Sequence, residues 1–247
     1  MLPAAAYPVV CGPLRGKRFL LHSAAGEGGG ASVYVNAVEP KKTQTLLSIL
    51  KPGQIVFDIG ANIGYYTLLA SQQVGPRGRV LAFEPFIRNI AYLHRHVSLN
   101  RLENVTIVPV ACSERSSVER FVIGNDCATG HLSSGPATRE DGRTIVVATA
   151  TVDDVVRECG LIPDVMKIDV EGAEERVLRG AAQTLADARP MLLLGVHSLA
   201  LRTACTDYLL SIGYPAPTVC EEVEGDTELV FMPAGRRQLA SALAHKA

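Results

Sequence analysis

Four residues of this chain have the types and spacing of a cofactor cradle: Asp58, Gly60, Gly64 and Glu84. Ile55, Val56 and Phe57 form a short apolar run, as in a strand buried on both faces. Asp58 stands at its carboxyl end, Gly60-Ala61-Asn62-Ile63-Gly64 makes a tight turn, and the pattern becomes helical from Tyr65. Strand, glycine turn and helix in that order aim free backbone N–H groups and a helix N-terminus over the strand end. Residues 79–84, RVLAFE, read as a second strand whose terminal carboxylate can accept hydrogen bonds from both hydroxyls of a ribose. The glycine turn alone could be purely structural; Glu84 makes it a cradle. Nicotinamide turns are usually spaced G-x-G-x-x-G, whereas this one reads D-x-G-x-x-x-G. Further on, Asp169 and His197 each follow an apolar run, where open α/β sheets place their chemistry.

The elements that position these residues fit one α/β domain over 34–247 carrying an N-terminal extension over 1–33. Residues 1–30 hold several prolines and a GEGGG run and read as irregular, with short strands at 18–22 and 32–36. Residues 39–50 form a helix with Pro40 in its first turn, placed so that Tyr34 and Thr43 could reach a cofactor. A helix follows Glu84 over 86–100, and 105–110 is a third strand ending near Ala111. Two β-branched segments, 118–123 and 144–151, then interrupt the alternation. Between them lies a polar, glycine-rich stretch, 124–142, of the kind that forms a lid or substrate loop. A helix over 152–159, a buried strand over 164–169, a helix opened by Glu171, a strand over 191–196, a helix over 199–212 and an edge strand over 228–232 complete the chain.

Apolar residues make up 47% of the 247, ample for a large core, and the net charge of −1 offers no basic surface for nucleic acid. The six cysteines are scattered, without a C-x-x-C pair or zinc spacing, as reduced thiols of a cytoplasmic protein would be. The proline-broken N-terminus makes a poor signal peptide, and no apolar run reaches membrane-spanning length.

The D-x-G-x-x-x-G spacing resembles the first motif of the Rossmann-like methyltransferases that use S-adenosyl-L-methionine (SAM). FDIGANIGYYT, VLAFEP, the TVDD tetrad at 151–154, KIDVEGAEERVLRGA from Lys167 and RPMLLLGVH ending at His197 occur in that order. Together they resemble the FkbM-type methyltransferases over roughly residues 34–198. The resemblance implies a seven-stranded, mostly parallel sheet of order 3-2-1-4-5-7-6, last strand antiparallel, with helices on both faces plus the inserted strand pair and lid loop. It implies SAM as cofactor and S-adenosyl-L-homocysteine as product, held by Asp58, Gly60, Asn62, Gly64 and Glu84; Ala61 and Pro85 beside these, and Ala111 at the end of the third strand near the adenine, complete the expected cofactor residues. It also implies methylation of a hydroxyl but not which acceptor carries it; a small molecule such as a sugar or secondary metabolite is expected, and charge and apolar runs give no reason to expect a nucleic-acid or membrane partner. One departure stands out: the family usually has a glutamate two residues before the final histidine, and this chain has Gly195. N-methylation, a nicotinamide-dependent oxidoreductase and a non-catalytic binder of the cofactor are the competing readings.

Methyl transfer from a sulfonium is an in-line displacement, so the protein's part is alignment and electrostatics. A hydroxyl is a poor nucleophile until its proton begins to leave, and a base there contributes about 10²–10⁴-fold. His197 is the first candidate, against a structural hydrogen-bonding role. His131, in the loop, could swing in on closure; His94 and His96 are expected on the surface. Asp169 is the strongest carboxylate, and Lys167, two residues earlier in a strand, shares its face. Glu171 either faces the acceptor or is a helix-start anion, and Glu174 and Glu175 read as plain first-turn residues. His197 and Ser198 beside one carboxylate make a poor hard-cation set, so no metal is assigned.

Overall fold

The computed structural model describes residues 5–20, 30–35, 37–124, 130–133, 143–223 and 226–233. In chain order it begins β1 (Tyr7–Pro8), β2 (Arg18–Phe19), α1 (Ala31–Tyr34), α2 (Pro40–Ile49), β3 (Ile55–Ile59), α3 (Tyr65–Val74), β4 (Arg79–Phe83) and α4 (Ile87–Leu99). Next come β5 (Val105–Val108), β6 (Ala111–Cys112), β7 (Ser117–Ile123), β8 (His131–Leu132), β9 (Arg143–Ala150) and α5 (Val152–Cys159). The last are β10 (Val165–Ile168), α6 (Glu174–Arg179), α7 (Ala182–Asp187), β11 (Met191–Val196), α8 (Leu199–Ser211), β12 (Thr218–Val223) and β13 (Asp226–Phe231).

Alternation along the strands builds two cores. Val56, Val80, Val165, Leu193 and Val230 face one side, where Leu46 of α2 and Leu68 and Leu69 of α3 meet them. Their neighbours Phe57, Leu81, Met166, Leu192, Leu194 and Phe231 face the other, against Val152 of α5, Val177 of α6, Leu185 of α7 and Leu209 of α8. Strands apolar on both faces are what a parallel sheet under two helix layers requires. The main sheet has seven strands in the order β12-β13-β11-β10-β3-β4-β5. β5, β4, β3, β10 and β11 are parallel, and β13 runs antiparallel to β11 and β12. Counted within the sheet this is the expected 3-2-1-4-5-7-6 with the last strand reversed. The two β-branched segments become β7 and β9 of a separate sheet of order β6-β9-β7-β8.

Several expectations change. The segment 226–231 is not an edge strand, because β12 pairs outside it; β12 escaped notice because TVCEEV is half polar and exposed. Residues 31–34 are helical rather than extended. The segment expected as an N-terminal extension buries Val9, Leu14 and Phe19 in the α2–α3 core. His96, expected on the surface, is fully buried behind the glycine turn, while His94 is exposed. Its Nδ1 donates to the Ile63 carbonyl at 2.7 Å and its Nε2 accepts from the Leu20 N–H at 3.0 Å, so the ring is neutral and burial lowers its pKa. Of the stretch 124–142, only Gly124 and 130–133 lie among the described residues. Cys127 lies outside them, and five other cysteines are free thiols. Among the described residues no helix is long and apolar enough to cross a membrane.

Candidate active site

The cradle is made almost entirely of backbone. Gly60 N and Ala61 N both donate to the Phe83 carbonyl, tying the turn after β3 to the end of β4. Gly60 has φ +79°, and a Cβ there would stand 1.9 Å from the Asp169 carbonyl oxygen, so the close approach of β3 and β10 demands glycine. Lys167 Nζ donates to the Gly60 carbonyl at 2.8 Å and holds the turn from below. Asn62, at φ 50°, donates its N–H to Glu84 Oε2 at 2.8 Å, while Glu84 Oε1 accepts from Phe86 N at 2.9 Å. Burial raises the Glu84 pKa against these hydrogen bonds.

A cavity of about 590 Å³ opens above the strand ends, within the range of small-molecule sites. Gly60, Ala61, Asn62, Glu84, Pro85 and Ala111 line it, as do Asp169, Glu171 and His197. Two expected cofactor residues stand behind it instead. Asp58 accepts from Thr67 Oγ1 at 2.6 Å and lies 3.3 Å from Lys167 Nζ; Gly64 packs its Cα toward Leu93. Phe86, Phe121 and Leu132 wall the far end, so the inserted sheet closes the cavity over the cradle. His131 pairs with Val122 and is exposed, its neighbour Leu132 taking the inward place. Tyr34 bonds the Phe19 carbonyl and Thr43 the Val38 carbonyl; neither lines the cavity.

Away from the cradle the floor is a chain of alternating charge. His197 Nε2 lies 3.6 Å from Glu171 Oε2 and 3.3 Å from Asp169 Oδ1. Asp169 Oδ2 accepts from Lys42 Nζ at 2.7 Å, and Lys42 meets Glu228 Oε1 at 2.5 Å and Glu39 Oε1 at 3.3 Å. Burial pushes Lys42 toward neutrality, but Asp169, Glu228 and Glu39 outweigh it and hold its pKa well above the ordinary value. Burial likewise opposes the charge on Asp169, yet Lys42, Lys167 and His197 keep its pKa well below the carboxylate range. At the two ends burial wins, and Glu171 and Glu228 are each pushed up to about 7.

The sequence DVEGAE at 169–174 folds to serve this chain. Glu171 at φ 56° and Gly172 at φ 105° turn the backbone back on itself. Glu174, fully buried, accepts from Gly172 N at 3.1 Å and Val170 N at 3.3 Å, and from His197 Nδ1 at 3.0 Å. Both imidazole nitrogens therefore face carboxylates. Burial disfavours the charged ring, but Asp169 and Glu174 raise its pKa to about 11. Glu174 is thus the orienter of His197 rather than a plain helix residue, whereas Glu175 pairs with Arg179 on the surface. The TVDD tetrad is structural: Thr151 caps α5, and Asp153 accepts from Gln183 N and Thr184 N at the start of α7.

Sequence reasoning missed Lys42, Glu39 and Glu228. A signal existed for Lys42, which shares the buried face of α2 with Leu46 and Ile49. Glu228 sits in register opposite Gly195, so the carboxylate absent from position 195 comes from the neighbouring strand. Asp169, Glu171 and His197 bring possible ligand atoms within 4.8 Å of one another. The same atoms already pair with one another and with Lys42, and we assign no metal to them.

The sequence profile of the Methyltransferase FkbM domain matches residues 58–211. The 31-O-demethyl-FK506 methyltransferase FkbM of Streptomyces tacrolimicus is 31% identical, the match covering 53% of this chain and 60% of that protein. The 2-O-methyltransferase NoeI of Sinorhizobium fredii is 30% identical over 60% of this chain and 66% of its own length. The crystal structure of an FkbM methyltransferase from Methylobacillus flagellatus superposes with a TM-score of 0.55 at 18% identity, covering 86% of this chain and 64% of that one. Aeropyrum pernix fibrillarin, solved with S-adenosyl-L-methionine bound, reaches 0.51 at 16% identity over 74% and 68%. The matched part thus spans less than two thirds of each of the two curated relatives. With the profile covering more than half of the chain, and its motifs building one cavity, this chain belongs to the FkbM methyltransferase family.

Proposed function

We propose that this chain is a SAM-dependent O-methyltransferase acting on a hydroxyl of a small molecule. The observation that carries the reading is one cavity joining the Gly60–Glu84 cradle to carboxyls pushed up to about 7. The relatives named as 31-O and 2-O methyltransferases favour oxygen over nitrogen as the acceptor atom. Free thiols among the described residues fit a reducing, cytoplasmic setting.

The residues present fit the cofactor. Asn62 lines the cavity and its buried Oδ1 has no hydrogen-bond partner among the described residues, beside a Glu84 carboxylate with lone pairs to spare. Glu84 would hold the ribose, the turn from Gly60 would carry the methionine part, and Pro85, Phe86 and Ala111 would face the purine. When bound, SAM supplies a methyl group on an electrophilic sulfonium. Asp169 stays ionised beside the reacting centre and stabilises developing positive charge on the acceptor oxygen. Glu171 receives the hydroxyl proton, because a carboxyl at about 7 is near the operating pH. His197, protonated to about 11, holds a proton rather than takes one, and fixes Asp169 and Glu171.

Calorimetry with S-adenosylhomocysteine against NAD tests the cofactor, and labelled SAM with a panel of hydroxyl compounds tests the reaction. The rate should rise with pH through about 7, as Glu171 loses its proton, and Glu171→Gln should lower kcat by about 10²-fold and abolish that limb. A limb that survives in the variant would move the base elsewhere.

A further inference from the structure

Glu228 reaches the cavity from β13, the reversed strand, in register opposite Gly195. A Cβ at Gly195 would stand 3.1 Å from Glu228 Oε1 and 3.2 Å from Asp169 Oδ1. The missing side chain leaves the room in which both carboxyl groups converge on Lys42. The lysine takes one oxygen of each, and Asp169 gives its other oxygen to His197. Glu228 Oε2 has no hydrogen-bond partner among the described residues, although it is buried. A buried acceptor left unmade is costly, and here it belongs to a side chain that lines the cavity.

The sheet order separates this oxygen from the cradle. β13 lies four strand spacings from β4, or roughly 19 Å at about 4.8 Å each. Glu171 and Glu228 flank Asp169 from opposite sides, across His197 and Lys42 respectively. An acceptor whose reacting hydroxyl meets Asp169 and Glu171 therefore has a second hydrogen-bond acceptor waiting beyond Lys42.

We propose that Glu228 is a specificity-determining residue: its Oε2 receives a hydrogen bond from a second hydroxyl of the acceptor, next to the one that is methylated. This rests on the O-methyltransferase reading and narrows its substrate class to diols and polyols. Because Lys42 holds one side of the group, Glu228→Gln would turn its carbonyl toward the lysine and its NH₂ toward the cavity. The variant replaces an acceptor with a donor at unchanged shape.

The test uses the full chain with labelled SAM, comparing trans-1,2-cyclohexanediol with cyclohexanol. The wild type should favour the diol by about 10-fold or more in kcat/KM, and in Glu228→Gln the ratio of diol to cyclohexanol kcat/KM should fall to about one, whatever the change in absolute rate, with S-adenosylhomocysteine affinity unchanged. A preference retained by the variant, or absent from the wild type, overturns the proposal. Loss of S-adenosylhomocysteine affinity in the variant would assign Glu228 to the cofactor half and also overturn it. A wild type that binds S-adenosylhomocysteine yet methylates neither alcohol, nor any hexopyranoside, removes the hydroxyl-acceptor reading and this inference with it.

Discussion

The two ends of the cavity are built in opposite ways. The cradle is local and made of backbone: Gly60, Ala61, Asn62 and Glu84 come from consecutive strands, and their hydrogen bonds run through main-chain N–H and C=O groups. The charged floor is dispersed and made of side chains, drawn from α2, β10, the turn before α6, the end of β11, and β13. Backbone geometry tolerates no side chain where strands touch but leaves little to titrate. The side-chain floor is a set of coupled ionisations, each pKa set by its neighbours. Substitution should therefore disable the first end by shape and retune the second by charge.

The largest effect is expected at Gly60. Gly60→Val would drive a branched Cβ into the Asp169 carbonyl and force φ +79° on a residue that avoids it. We expect a loss of about 2–4 kcal/mol in stability together with lost S-adenosylhomocysteine binding, read by thermal unfolding and calorimetry. Full stability with lost binding would mean that the turn is shaped for the cofactor rather than for β10. Next comes Glu84→Ala, which removes a charged acceptor from the cradle and should weaken S-adenosylhomocysteine by about 1.5–3 kcal/mol without unfolding the chain. Unchanged affinity would place the ribose elsewhere.

The smallest effect is one of tuning. His197→Ala removes the cation that lowers the Glu171 pKa, so the acid limb of the rate should move to higher pH rather than vanish. The sign for stability follows from the same residue. Its pKa in the fold, about 11, lies above the ordinary 6.5, so its contribution is fully present below about 6.5 and is lost as pH rises toward 11. His197→Ala should cost more stability at pH 6 than at pH 9, and the reverse order would break the assignment of a protonated ring.

The same contrast decides what was legible in the sequence. The cradle could be read because strand, glycine turn, helix and carboxylate follow one another, and a local pattern has local signals. The parallel sheet could be read for the same reason, through apolar runs such as MLLLGV. Glu228 could not, because it meets its partners only through sheet order, and for Lys42 the helical spacing marks a buried face but not the distant Asp169 and Glu228 that hold its charge. Glu174 looked like an ordinary first-turn acid, since its role depends on Glu171 and Gly172 adopting positive φ. His96 was misjudged because the β2 segment that covers it has almost no pattern of its own.

That covered histidine ties the glycine turn to residues upstream of the family match. His96 fastens Leu20 to Ile63, Phe19 packs on its ring at 4.7 Å, and the strand pair β1–β2 thereby becomes a buttress for the glycine turn. A chain shortened to begin at residue 34 keeps every residue lining the cradle. It loses Val9, Leu14 and Phe19 from the core, and leaves the His96 Nε2 facing solvent. The matched segment thus leans on residues 7–20, and divergence there is bounded by the need to keep a neutral imidazole dry.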